Sequence, residues 1–247
     1  MPPAPVAPGQ VIIVSGSSGS GKSTTCRTFA QQADDFWLML GVDLFSGMMS
    51  PAKFSMHGPR CREGQYARSI NPDDPDGGTM MALGPEGWRA MQAFHAMIAA
   101  AARAGRNVIV DHIMFVDPPI LQDCVWQLEG LPVHFVGLQP PEAVLLGRIG
   151  GREIKVPPDF AESIGADAAA RVARNLQRLT PWFVRAINDA GCFDLVVDSE
   201  ALSPSQVCAA ITTRLAAGPG TAFATLRERH PRGSWDQLLD PENRSFE

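Results

Sequence analysis

The sequence predicts an α/β fold: five short parallel strands in one sheet, with helices on both faces. Three observations predict it. Short apolar runs alternate with stretches of helical pattern along most of the chain, the order that builds a parallel sheet. Several runs are nearly continuous in apolar residues, as strands buried on both faces are. Two of them lead into aspartates, Asp43 and Asp111, at the carboxyl ends of strands, where open α/β sheets carry their ligands.

The elements follow in order. Residues 1–10 are Pro-rich and read as a flexible N-terminal tail. Val11–Val14 is the first strand, leading into a Gly/Ser-rich loop and a helix from Thr24 to about Gln32. Phe36–Leu40 is the second strand and ends in Gly41-Val42-Asp43. Residues 44–84 are irregular and rich in Gly, Pro and Asp. Within them Gln65–Ile70 and Thr79–Leu83 flank a turn-forming segment and predict a β-hairpin. Pro85 to Ala104 is a helix with Pro-Glu in its first turn and Gly105 as its stop. Asn107–Val110 is the third strand, Pro118–Leu128 a helix and Val133–Leu138 the fourth strand. Glu142–Arg148 starts a helix, and 149–160 form a Gly/Pro-interrupted basic segment. Ala161–Asn188 reads as helical with a break near Thr180-Pro181. Phe193–Val197 is the fifth strand and Pro204–Ala216 the last core helix. The domain runs over 11–217, with 44–84 and 149–180 as excursions over one end of the sheet. Residues 218–247 form a mixed-charge appendage with Trp235, Leu238 and Leu239 on an apolar face. It either docks on its own domain, docks on a second subunit of a homo-oligomer, or stays disordered.

The 247 residues are 45% hydrophobic and 19% charged, the balance of a soluble protein with a real core. A net charge of −5 argues against a nucleic-acid partner held by bulk electrostatics. The five cysteines have no pair at zinc-knuckle or thioredoxin spacing, which fits free thiols in a reducing cytoplasm. No run of about 18 apolar residues predicts a membrane span, and the start lacks the pattern of a secretory signal. A cytoplasmic location is expected.

Gly16-Ser17-Ser18-Gly19-Ser20-Gly21-Lys22-Ser23 fits the Walker A pattern in full, followed by Thr24. Glycines let such a backbone wrap phosphate oxygens, and its N–H groups join the following helix N-terminus as an anion nest. The lysine reaches the β/γ-phosphates and the serine hydroxyl ligates Mg²⁺. Only three lysines stand among the basic residues, against 18 arginines, and one is at the required position. ATP and Mg²⁺ are the implied cofactors.

Asp43 is the candidate general base for a hydroxyl acceptor; the same residue also suits an Asx turn or helix cap before Leu44. Asp111 closes Val108-Ile109-Val110 and either holds Mg²⁺ or contacts substrate. His112 next to it, and His95 beside the apolar face formed by Trp88, Met91 and Ile98, read first as packed residues. Arg148, Arg152 and Lys155 around Gly150-Gly151 suit a mobile lid whose cations neutralise the transferred group, or an exposed basic loop. Methionines bracket residues 44–84 and serve either an apolar acceptor pocket or plain core filling.

Further stretches carry a family resemblance. Gly16-Ser17-Ser18, Trp37-Leu38 leading to Gly41-Val42-Asp43, and Asp76-Gly77-Gly78 before Leu83-Gly84-Pro85-Glu86 resemble the chloramphenicol phosphotransferase family. So do Phe135-Val136-Gly137 and the Gly147-Arg148…Arg152…Lys155 spacing, where the family has a third Arg at the last position. Phe193-Asp194-Leu195-Val196-Val197-Asp198 followed by Ser203-Pro204 fits as well. The resemblance covers about residues 11–215, with a break. It implies a P-loop kinase-type fold and transfer of the γ-phosphoryl of ATP to a hydroxyl. It also implies Asp43 as the activating carboxylate, Arg148 and Arg152 as lid residues touching nucleotide, and the loop after Asp198 near the adenine. This chain departs from the family in a longer 156–180, in lacking a clear match near Trp182-Phe183 for the His after the lid helix, and in the extra 218–247.

The expected function is an ATP-dependent phosphotransferase acting on a small-molecule hydroxyl, with an antibiotic as leading acceptor. The rivals are a kinase for another metabolite (nucleotide sugar, nucleoside or sugar acid) and a regulatory nucleotide-binding ATPase.

Overall fold

The computed structural model describes residues 6–48, 51–54, 58–70, 78–151 and 167–236. Strand β1 (Val11–Gly16) runs through the centre, with every residue buried. It leads through the Gly/Ser-rich loop into α1 (Lys22–Gln32). β2 (Trp37–Gly41) follows, then two short helices, α2 (Val42–Met48) and α3 (Pro51–Phe54). The hairpin β3 (Gln65–Ser69) and β4 (Thr79–Leu83) pairs antiparallel, with Tyr66 opposite Ala82 and Arg68 opposite Met80. Next come α4 (Pro85–Arg103), β5 (Asn107–His112), α5 (Ile120–Gln127), β6 (Val133–Leu138) and α6 (Glu142–Gly150). α7 (Ala168–Asn188), β7 (Leu195–Val197), α8 (Pro204–Ala216) and α9 (Ala222–Arg229) complete the order.

The five-stranded sheet has the order β2-β5-β1-β6-β7, with every pairing parallel. Alternation along the strands divides the core in two. Val11 and Ile13 of β1 face one cluster with Val108, Val110, Val133 and Phe135, under α4, α5 and α9. Ile12 and Val14 face the other with Ile109, Val136 and Leu138, under Cys26 and Phe29 of α1 and Val207, Cys208 and Ile211 of α8. This is the predicted α/β sheet with helices on both faces.

Three local expectations change. The chain after Asp43 enters α2 at once, because Phe45 stacks on Phe94 of α4, with ring centroids 4.8 Å apart. The expected break at Thr180-Pro181 is absent: α7 runs through Pro181. Thr180 donates its hydroxyl to the Leu176 carbonyl at 2.8 Å, and Trp182 and Phe183 anchor the second half on Phe115. The fifth strand is shorter than predicted, because Phe193 leaves the ladder to pack on Phe135 at 4.5 Å. Residues 222–229 dock on their own domain, with Ala222, Phe223 and Leu226 in the core. Trp235 lies at the end of the described residues, and Leu238 and Leu239 lie outside them.

α8 begins at the residue the sequence indicates because its start is chemically marked. Ser203 accepts from the Gln206 N–H and the Gln206 side chain accepts from the Ser203 N–H, a reciprocal capping box, with Pro204 at the first helical position. Ser203→Ala is expected to lower stability by about 1 kcal/mol, read as a reduced urea midpoint at unchanged slope.

Candidate active site

The site forms where β1, β2 and β5 end side by side. β1 gives way to the loop from Gly16 to Ser23. Gly19 and Gly21 have φ of 81° and 93°, a left-handed region that a Cβ makes costly. No side chain caps the start of α1, so nothing from the chain's own side chains competes there for an incoming anion. The Lys22 ammonium donates back to the Ser17 carbonyl at 3.1 Å and lies 3.9 Å from Asp111. It is thereby held over the loop.

Ser23 donates its hydroxyl to Asp111 at 2.5 Å. Burial holds the Asp111 carboxyl above the usual aspartate range; Lys22 and Ser23 pull it down, and the charge of Asp43 pushes it up. Asp43 therefore lies within electrostatic reach of Asp111. The sheet register explains why: Gly41 pairs with Asp111, so the exits of β2 and β5 adjoin. Asp43 sits exposed in the first turn of α2.

A cavity of about 670 Å³ opens beside them, lined by residues 18–25 with Asp43 and Arg148 and walled by Ser199, Glu200 and Leu202. The hard oxygen donors of Ser23 and Asp111 suit Mg²⁺. The left-handed glycines, the open helix start and the tethered lysine suit a polyphosphate. The residues present thus fit a magnesium nucleotide. Of the predicted site residues, the structure brings together Ser18, Gly19, Ser20, Gly21, Lys22, Ser23, Thr24, Asp43 and Arg148 around the cavity. Asp111 joins them through Ser23, and Ser17 through the bond from Lys22. Gly16 ends β1. Arg152 and Lys155 lie outside the described residues.

Arg148 is engaged rather than free. In the last turn of α6, its guanidinium donates to the Gly19 carbonyl at 3.2 Å and the Ser199 carbonyl at 3.1 Å, and pairs with Glu200 at 2.7 Å. Ser199 in turn donates to the Ser20 carbonyl at 2.6 Å. Asp198 organises this loop by accepting from the Glu200 N–H at 2.8 Å, an Asx turn. Loop 198–203 is thus tied to the phosphate loop.

The family model for chloramphenicol phosphotransferase-like proteins matches residues 9–216. The chain belongs to the chloramphenicol phosphotransferase-like family. Two proteins of Mycobacterium tuberculosis, each named "Putative O-phosphotransferase" (MT2714 in strain CDC 1551, Rv2636 in strain H37Rv), are 26% identical to it over 130 residues. That match covers 53% of this chain and spans 57% of the length of those relatives. The solved crystal structure of APE1195 matches with a TM-score of 0.53 at 15% identity, over 87% of this chain and 98% of that one. A sugar kinase from Janibacter sp. HTCC2649 gives a TM-score of 0.47 at 21% identity, over 86% and 97%. The APE1195 likeness establishes a shared fold.

Within this chloramphenicol phosphotransferase-like domain, one polar feature escapes sequence reasoning. His95 and His112, read first as packed residues, are fully buried and bonded to each other and to Asp123 of α5. Burial, the neighbouring His95 and Lys22 hold the His112 ring well below the usual histidine range. Asp123 falls in a segment whose sequence marks it only as a helix. No local spacing could join residues 17 and 28 positions apart. Among the described residues, no helix is long and apolar enough to cross a membrane.

Proposed function

We propose that the protein is an ATP-dependent kinase that moves the γ-phosphoryl group to a hydroxyl of a small molecule. One observation carries this: Lys22, Ser23 and Asp43 line one cavity at the ends of adjacent strands, with Asp111 bonded to Ser23. A binding switch needs Lys22, Ser23 and Asp111 alone; a carboxylate facing the place of the transferred group serves an acceptor. An antibiotic hydroxyl is the leading acceptor, supported by the name of the family. Another metabolite is the alternative.

In this mechanism Lys22 and the loop from Gly16 to Thr24 hold the phosphates, with Lys22 countering charge on the β/γ oxygens. Mg²⁺, when bound at Ser23 with Asp111 beside it, supplies charge neutralisation and orients the phosphates. Asp43 takes the acceptor proton as the acceptor oxygen bonds to the γ-phosphorus and the bond to the β–γ bridging oxygen breaks. ADP and the phosphorylated acceptor result. Arg148 ties the phosphate loop to loop 198–203, the wall assigned to the base of the nucleotide. Arg152 is assigned on resemblance alone, as a second cation for the transferred group.

The test is ADP formation measured across a panel of hydroxylated antibiotics and metabolites. ADP release stimulated by one acceptor class is expected. Release at one rate whatever compound is added would reject the kinase in favour of an ATPase. Ser23→Ala is expected to raise the Mg²⁺ concentration for half-maximal activity, read from a magnesium titration at fixed ATP; an unchanged value would remove Ser23 from the metal site.

A further inference from the structure

A chain of buried hydrogen bonds runs from the active-site end of β5 into α5. The Ile113 N–H donates to His112 Nδ1 at 2.8 Å. His112 Nε2 lies 2.9 Å from His95 Nε2, and His95 Nδ1 lies 2.5 Å from the Asp123 carboxylate. Both imidazoles are fully buried. The backbone N–H fixes every proton in the chain. Because His112 Nδ1 accepts, the ring proton of His112 lies on Nε2. That proton can only be donated to His95 Nε2, which leaves the His95 proton on Nδ1, aimed at Asp123. Donors and acceptors match throughout.

Two features connect this chain to the reacting groups. His112 directly follows Asp111, and the strand exit is pinned there twice, by Ile113 N–H on the His112 ring and by Met114 N–H on Ser15 Oγ at 3.3 Å. Phe94, the neighbour of His95, packs its ring on His112 at 5.4 Å and stacks on Phe45 of α2, the helix that carries Asp43. The buried chain thus abuts the strand end that carries Asp111 and, through Phe94 and Phe45, the helix that carries Asp43.

We propose that His112, His95 and Asp123 are positioning residues: their directed hydrogen bonds fix the end of β5 and so aim Asp111, with Asp43 beside it, at the magnesium nucleotide. This role rests on the assignment of Asp111 to the metal site made above. The same rings, with Cys124 Sγ, lie within 4.8 Å of one another, a spacing that invites a transition metal. The geometry disfavours that occupant, because a His112 whose Nδ1 accepts from Ile113 holds its proton on Nε2 and has no lone pair there to give.

Two measurements test the proposal on the full chain. Long-range ¹H–¹⁵N correlation of the histidine rings in the wild-type protein should show His112 protonated at Nε2 and His95 at Nδ1. The reverse tautomers, or one zinc per chain in the purified protein, would overturn it. Calorimetric titration of ATP at several Mg²⁺ concentrations then compares wild type with His112→Phe, which fills the space without a donor, and His112→Gln, which keeps one. His112→Phe should raise the Mg²⁺ requirement for nucleotide binding by up to about tenfold, the low end of the range for losing a direct partner of a metal ligand, since His112 acts on Asp111 only through the strand end. His112→Gln should restore most of it. Wild-type magnesium dependence in a folded His112→Phe would overturn the positioning role alone. Nucleotide binding in the wild type that ignores Mg²⁺ would instead bring down the site assignment, and the positioning role with it.

Discussion

Asp43→Asn is expected to bind ATP with Mg²⁺ as the wild-type protein does and to transfer the phosphoryl group about 10²–10⁴ times more slowly, a barrier increase of roughly 3–5 kcal/mol. The substitution keeps the size of the side chain and removes its basicity. Binding should survive because Lys22 is held by the Ser17 carbonyl and Ser23 by Asp111, neither of which involves Asp43. Folding should survive because Asp43 is exposed in the first turn of α2. The fall should therefore lie in kcat, with KM for ATP unmoved. Full turnover in Asp43→Asn would show that another group takes the proton.

Asp194→Ala is expected to destabilise the fold by about 3–5 kcal/mol, the usual loss when one partner is removed from a buried charged network. Its carboxylate is 1% exposed and accepts three backbone N–H groups: Phe135 at 2.8 Å, Thr221 at 2.7 Å and Ala222 at 3.0 Å. Arg214 lies 3.7 Å away. One side chain thus joins β6, the approach to β7 and the start of α9. Its loss leaves buried donors unpaired, each costing about 1–3 kcal/mol, and frees α9 from the sheet. Thermal and urea unfolding should both register it, and a melting midpoint equal to the wild type would show that α9 is held by Phe223 and its neighbours alone.

The parts legible in the sequence carry local chemical marks. The phosphate loop is written in glycine spacing and one lysine. The start of α8 is written in Ser203, Pro204 and Gln206. β6 is a run bounded by polar and turn residues, and its predicted span, Val133–Leu138, is the observed one. What the sequence hides depends on distant partners. α2 has seven residues, and its place is set by Phe45 against Phe94, a contact between segments far apart in the chain. Pro181 reads as a break because the missing N–H is a local cost, whereas the aromatic packing of Trp182 and Phe183 that offsets it is tertiary. The appendage after 217 reads as charged, yet Ala222, Phe223 and Leu226 place an apolar face on the sheet side of α9. In the site, Lys22, Ser23, Asp43 and Asp111 were each legible. The bond between Ser23 and Asp111, and the commitment of Arg148 to Gly19, Ser199 and Glu200, belong to the folded chain alone.

The most direct test of the central claim is mass spectrometry of hydroxylated small molecules incubated with the protein, ATP and Mg²⁺, with Lys22→Ala run in parallel. A product heavier by one phosphoryl group, formed by the wild type and absent with Lys22→Ala, is the predicted result and identifies the acceptor. ATP consumed with no acceptor gaining mass, across a panel of antibiotics, nucleosides, sugar acids and nucleotide sugars, would contradict the assignment of the cavity to phosphoryl transfer.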